Sequence, residues 1–180
     1  MPGGIGVTYF GEWRNYKRHG KGVLKNHKDK WEYRGHFVNN QIDGFGRYSW
    51  SSGDTYEGWF SNSRKSGFGR YTWASNGSQY TGYWQDNKKN GLGEYIYPDK
   101  SVYFGYYHND RPDGLGVYKW PDGNFYQGEW KNGVRSGIGM FKWSKNKASY
   151  IGEFKANSLE GRGSFIYSDG SYYKGLFRVN

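Results

Sequence analysis

The chain has 180 residues and a formal net charge of +10, a length that suits one domain or one continuous array of repeats. Its 5 Leu, 6 Ile, 7 Val and 11 Phe are too few for a thick aliphatic core, yet 9 Trp and 19 Tyr set it apart from disordered chains of similar charge, which are poor in aromatics. Thirty Gly exclude long helices, and the lack of Cys excludes disulfides, thiolate metal sites and cysteine nucleophiles.

Residues 1–8 read as a lead-in. The first element opens with Tyr9-Phe10-Gly11-Glu12-Trp13 and continues to Gly20-Lys21-Gly22. Tyr, Gly and Trp at alternate positions share one face of a strand, and the following Gly-x-Gly run does the same for a second strand. The same spelling recurs down the chain. Tyr stands at 9, 33, 56, 80, 103, 126, 150 and 173, spaced by 23 or 24 residues, with Gly two residues on and an aromatic two beyond that. Seven units are complete, starting at 9, 33, 56, 80, 103, 126 and 150, and residues 173–180 form a half-unit.

The interval from the first Gly to the second is nine residues in every complete unit. A constant length marks a turn that fixes strand register, and the one-residue slack elsewhere marks a connecting loop. Turn-forming stretches such as Asn62–Ser66 and Asn109–Asp113 separate the two strands. Each unit is therefore a β-hairpin, and the fold class expected is all-β: an elongated, curved, single-layer antiparallel sheet of stacked hairpins with about 15–16 strands and a length of roughly 70 Å.

The shared face collects eight aromatics at the Tyr position and eight at the Trp position, then pairs such as Tyr71 and Trp73 on the second strands. Rings laid over bare glycine backbone shelter part of this apolar surface, and the remainder forms a trough for a partner's helix or extended segment. Its expected lining is Trp13, Trp50, Trp73, Trp84, Tyr107, Trp120, Trp130 and Trp143. On the other, convex face a stripe of Phe45, Trp59, Phe68, Tyr83, Leu92, Tyr106, Leu115 and Ile138 reads either as variation on a half-exposed sheet or as a lateral contact with another protein or a second copy. Lys17, Arg18, Arg64, Lys65, Lys88, Lys89, Arg111 and Arg135 fall in the turns along one edge. They form either a solvated edge that resists sheet-to-sheet aggregation or a basic row that attracts acidic partners.

The pattern Tyr-x-Gly-x-Trp, a short turn, then Gly-x-Gly resembles the MORN (membrane occupation and recognition nexus) repeat, in eight in-phase copies over residues 9–180. Lys30 and Lys100 stand near the loop-glycine position of that family, and 145–147 lacks its Asp-Gly. The resemblance, which extends to MORN proteins of the radial spoke head type, implies a protein-interaction scaffold in a cytoskeletal or ciliary axonemal assembly. It also implies, as an alternative, a module for anionic phospholipid at the cytoplasmic face of a membrane. Single-stranded nucleic acid is a third occupant, weakened because most rings are needed to cover glycine.

Nothing in the sequence points to catalysis. His19, His27, His36 and His108 occupy unlike repeat positions without metal-ligand spacing, no Gly-x-Gly completes a dinucleotide fingerprint, and the turn carboxylates Asp43, Asp86, Asp110, Asp122 and Asp169 suit Asx-turns. No cofactor and no metal are expected. No run approaches the roughly 18 apolar residues of a membrane-spanning helix and no signal-peptide core opens the chain, so an intracellular location is expected. Homo-oligomerisation through the hairpin ends stays open.

Overall fold

The structure, a computed structural model, describes residues 6–178. Residues 1–5 of the expected lead-in and 179–180 of the half-unit lie outside the described residues. The described chain is all-β, with fifteen strands and no helix among the described residues, and it divides into two units at Lys88 and Lys89. The N-terminal unit holds β1 (Val7–Arg14), β2 (Lys17–Asn26), β3 (Trp31–Val38), β4 (Gln41–Ser49), β5 (Thr55–Ser61), β6 (Arg64–Thr72) and β7 (Gln79–Gln85). The C-terminal unit holds β8 (Lys88–Ile96, counted from Lys89), β9 (Val102–His108), β10 (Arg111–Lys119), β11 (Phe125–Lys131), β12 (Val134–Lys142), β13 (Ser149–Lys155), β14 (Ser158–Ile166) and β15 (Tyr172–Phe177). Within each unit the strands lie side by side in chain order, antiparallel, in an open sheet of consecutive hairpins.

The hairpins close in two residues. Asn15 and Tyr16, Asn39 and Asn40, Asn62 and Ser63, Asn109 and Asp110, and Ala156 and Asn157 all have positive φ, the geometry of the tight turn that matches strand twist. The longer turns read in 62–66 and 109–113 are thus shorter than expected, because the extra residues belong to the second strand. There they form a bulge. In β5–β6, Gly58 faces Gly69 and Phe60 faces Lys65, so the single Trp59 opposes Ser66, Gly67 and Phe68. Gly67 turns the chain there with φ of 79°, a conformation that suits glycine.

Consecutive hairpins are locked at their tips. The Asn40 N–H donates to the Arg18 carbonyl at 3.0 Å, and the Arg18 N–H donates to Asn40 Oδ1 at 2.8 Å. Asn87 with Lys65, Asp110 with Lys89 and Asn157 with Arg135 repeat this reciprocal pair. Where the preceding residue is Pro112, which has no N–H to give, the turn residue is Gly133, which has no side-chain acceptor, and only the bond from Gly133 N–H to the Pro112 carbonyl remains, at 2.8 Å. Asp43 and Asp110 therefore serve neighbouring hairpins, whereas Asp122 and Asp169 bond the N–H two residues on, as an Asx-turn requires.

In the loops that join repeats, the N–H groups of Gly53, Gly123 and Gly170 bond the carbonyls of Trp50, Trp120 and Tyr167. Lys100 makes the same bond to Tyr97 with φ of 72°. An L-residue in this region is strained by about 1–2 kcal/mol, partly offset by the greater freedom glycine would have when unfolded. Lys100→Gly is therefore expected to raise the unfolding free energy by about 0.5–1 kcal/mol, read from the urea midpoint; a lower midpoint would refute the strain.

Candidate functional site

One face of each unit is closed by its own side chains. Tyr33, Tyr56, Tyr80, Tyr103, Tyr126 and Tyr150 are all 0% exposed. Tyr33, Tyr56, Tyr103, Tyr126 and Tyr150 each lie over the glycine two residues on and the glycine opposite it. A Cβ built at Gly69 would stand 2.4 Å from the Tyr56 hydroxyl, and one at Gly139 would stand 2.5 Å from that of Tyr126. The hydroxyls are satisfied: Tyr56 donates to the Trp59 carbonyl at 2.9 Å and Tyr126 to that of Glu129 at 2.9 Å, which is why the position is Tyr and not Phe. Burial raises the phenols of Tyr33, Tyr56, Tyr126 and Tyr150 above their ordinary range, Tyr126 to about 12. In every repeat the next aromatic meets the Tyr edge to face, as Phe60 does Tyr56 at 5.0 Å and Trp130 does Tyr126 at 5.4 Å.

The residues expected to line a partner trough divide accordingly. Trp84, Tyr107 and Trp130 are buried, at 5%, 3% and 8% exposure, and a partner could reach them only by displacing the protein's own side chains. Trp50, Trp73, Trp120 and Trp143 are half-buried in ladders such as Tyr118, Trp120, Phe141 and Trp143, with centroids 4.4–5.3 Å apart. Trp13 alone of the eight is open.

The cover that the sequence reading missed comes from the second residue before each Gly-x-Gly. Lys65 Nζ sits 4.0 Å from the Trp84 ring centroid, Lys89 Nζ 4.8 Å from that of Tyr95, and the Arg135 guanidinium 5.3 Å from that of Phe141. Arg18 lies over Tyr9 and Phe37. Ile42, Pro112 and Leu159 occupy the same register. The property common to all seven residues is carbon to lay across rings, so the cations act largely as apolar lids and cation–π partners. Burial lowers the pKa of both Lys89 and Arg135. The expected basic edge is thereby split: Arg18, Lys65, Lys89 and Arg135 fold onto the rings, while Lys17, Arg64, Lys88 and Arg111 stay exposed, Arg64 paired with Asp86 at 3.2 Å.

The opposite face is open. Phe45, Trp59, Phe68 and Tyr83 in the N-terminal unit, and Leu92, Tyr106, Leu115 and Ile138 in the C-terminal unit, are all between 38% and 63% exposed. The fold alone does not require an aromatic at Trp59, Tyr83 and Tyr106. At the equivalent positions the Glu12, Glu129 and Glu153 carboxylates accept the N–H groups of Lys21, Ile138 and Arg162, at 2.8, 2.9 and 2.9 Å, and His36 Nδ1–H donates to the Phe45 carbonyl at 3.1 Å. The aromatics give up that bond and place an exposed ring there instead.

A second column runs beside the stripe, across a row of glycines contributed one per strand, and its composition differs between the units. At its middle it reads Arg34, Arg47, Glu57, Arg70 in the N-terminal unit, flanked by Val23 and Thr81, and Phe104, Val117, Gln127, Met140, Ile151 in the C-terminal unit, flanked by Glu94 and Ser164. Column and stripe together wall a groove of about 550 Å³ in the C-terminal unit, floored by Gly105, Gly116, Gly128 and Gly139. These second-column residues sit at the unmarked positions of Tyr-x-Gly and just after Gly-x-Gly; their alignment across strands is the signal that would have shown them.

Comparison with solved structures gives a likeness to the TCP domain of SAS-4 (dCPAP) of Drosophila melanogaster, determined in complex with a proline-rich motif of Ana2 (dSTIL). The TM-score is 0.53 and the identity 12%, over 88% of this chain and 84% of that one. The TCP10c domain of Drosophila melanogaster Sas-4 scores 0.49 at 13% identity, over 88% and 93%. At these identities the first likeness concerns the fold alone. Among curated proteins no match is found. The MORN repeat family model matches residues 9–26, 33–55, 56–78, 80–102, 103–125, 126–147 and 150–172. With its glycines, buried tyrosines and hairpins accounted for in the same register, the chain belongs to the MORN repeat family.

Proposed function

We propose that this chain is a non-catalytic protein-interaction module, and that an apolar segment of a partner protein docks on the open face of its C-terminal unit. The observation that carries the reading is the groove walled by Phe104, Tyr106, Leu115, Ile138 and Ile151, which are 48–63% exposed. A patch of large side chains this continuous is unusual on a soluble surface without a partner. It replaces the ring-lined trough as the docking face, because that trough is filled from within. The fold is suited to such work, since a similar sheet in SAS-4 was solved with a proline-rich motif bound. The setting we propose, on the family resemblance to radial spoke head proteins, is a cytoskeletal assembly.

The test is a Leu115→Asp, Ile138→Asp double variant. Both side chains point into solvent, so its thermal midpoint should match the parent's. The parent is expected to retain polypeptides from a native extract in high salt, and the variant to lose them. Equal retention by both proteins would overturn the reading, and salt-sensitive pelleting with phosphoinositide liposomes in its place would favour the membrane alternative.

A further inference from the structure

The N-terminal unit carries a differently built groove on the same open face. Its floor is the row Gly35, Gly46, Gly58 and Gly69, paired strand to strand. One wall is aromatic: Phe45 meets Trp59 edge to face at 6.0 Å, and one repeat later Phe68 meets Tyr83 at 5.7 Å. The other wall is cationic, with Arg34, Arg47 and Arg70 all exposed. Two hollows lie along the floor, one of about 500 Å³ beside Arg34 and Arg47 and one of about 320 Å³ beside Arg70, each bounded by Phe45.

The cationic wall is not required by folding. The same column is Phe104, Val117 and Met140 in the C-terminal unit, and Arg34 faces Arg47 directly across strands, an arrangement that costs stability. Arg34 is engaged by Glu32, which also holds Lys25 at 2.8 Å. Glu57 lies in register between Arg47 and Arg70, yet no ion pair joins it to either. With Lys21 the surface keeps more cations than anions, so a partner seated here should bring carboxylates.

The spacing restricts that partner further. Arg47 and Arg70 are two strands apart, as are the two aromatic pairs, which is about 9.6 Å at the usual strand separation. A polyproline II helix repeats every three residues, about 9.3 Å. One repeat of the sheet thus matches one turn of that helix. A segment lying along the glycine row would present every third side chain to the arginines, and its prolines to the aromatic pairs, which is how aromatic-lined grooves take such helices. Edge-to-face ring pairs offer slots for prolines in place of the parallel platforms that stack bases.

We propose that the N-terminal unit binds a proline-rich segment in the polyproline II conformation with an acidic residue at every third position. This site is separate from the C-terminal groove, and either can fail without the other.

The probe is a fluorescent peptide of four Glu-Pro-Pro triplets, with anisotropy read on the full chain. Micromolar binding is expected, weakened about tenfold or more by Arg47→Gln with Arg70→Gln and by Trp59→Ala, and unchanged by Leu115→Asp with Ile138→Asp. All the substituted side chains are exposed, and unchanged thermal midpoints confirm intact folding. A peptide of three Glu-Pro-Pro-Pro units, equal in length but with its carboxylates off one edge, should bind about tenfold more weakly, as should the Gln-Pro-Pro counterpart. Failure of the parent to bind, equal binding of the period-four or Gln peptide, equal binding by the Arg47/Arg70 variant, or preference for oligo(dT) or phosphatidylserine vesicles over the peptide would each overturn the proposal.

Discussion

Gly58→Ala is expected to cost about 3 kcal/mol or more, at the upper end of overpacking. A Cβ at Gly58 would stand 2.4 Å from Gly69 Cα and 2.8 Å from the Phe68 carbonyl oxygen, both backbone, and 2.7 Å from the Tyr56 hydroxyl. None of these can retreat. The facing strand is pinned by its register, and Tyr56 is held by its bond to the Trp59 carbonyl and by Phe60 and Trp84 at 5.0 and 5.5 Å. Gly77→Ala is the control. Its added Cβ meets nothing within 4 Å and the cost is only the strain of φ at 71°, about 1 kcal/mol. Urea unfolding of both variants checks the difference. If Gly58→Ala were no more damaging than Gly77→Ala, the close approach of glycine rows would not be a determinant of the fold.

Alkaline pH is expected to unfold the protein in a steep transition. Burial raises the pKa of Tyr33, Tyr56, Tyr126 and Tyr150, and also of Tyr71, where the Asp54 carboxylate adds to it. A tyrosine with its pKa raised on folding holds its proton in the folded state where the unfolded chain has lost it. Its stabilisation is complete below about pH 10 and declines as pH climbs from there through the folded value, to about 12 for Tyr126. Lys89, lowered by burial, works in the opposite direction as pH approaches the ordinary lysine range, but several tyrosines outweigh one lysine. Each pKa unit corresponds to about 1.4 kcal/mol, so several core phenols together reach the range of about 5–15 kcal/mol typical of a folded chain's stability. Tyrosinate absorbance is expected to rise together with loss of the β-sheet circular dichroism signal. Complete tyrosine titration with the sheet signal intact would show that the rings are not sealed.

The repeat, its hairpins and the all-β class were legible because they are written as fixed spacings: Tyr56, Gly58 and Phe60 fall on one face by alternation, and Gly67 and Gly69 follow at a constant interval. The separate jobs of these glycines were not. Gly67 supplies a left-handed turn inside a bulge, Gly69 receives a phenol, and Gly58 backs onto the facing strand, and no spacing distinguishes those roles. The lid over the rings was also beyond the sequence. Counting rings places Trp84 and Trp130 in a trough awaiting a partner, because composition registers Lys65 and Arg135 as charges; only their placement above the rings makes them a roof.

What the amino-acid order determined by itself is local: period two within strands, a constant nine-residue interval that marks each hairpin, and turn stretches rich in Asn and Asp. What only the folded sheet decided is lateral. Residues some 23 positions apart in sequence stand about 10 Å apart across two strands, so Arg47 with Arg70, or Leu115 with Ile138, become neighbours on a wall. The physical reason is that strand pairing converts a repeat period into a distance. The chemistry of a groove is written in that second direction, which the linear chain does not display.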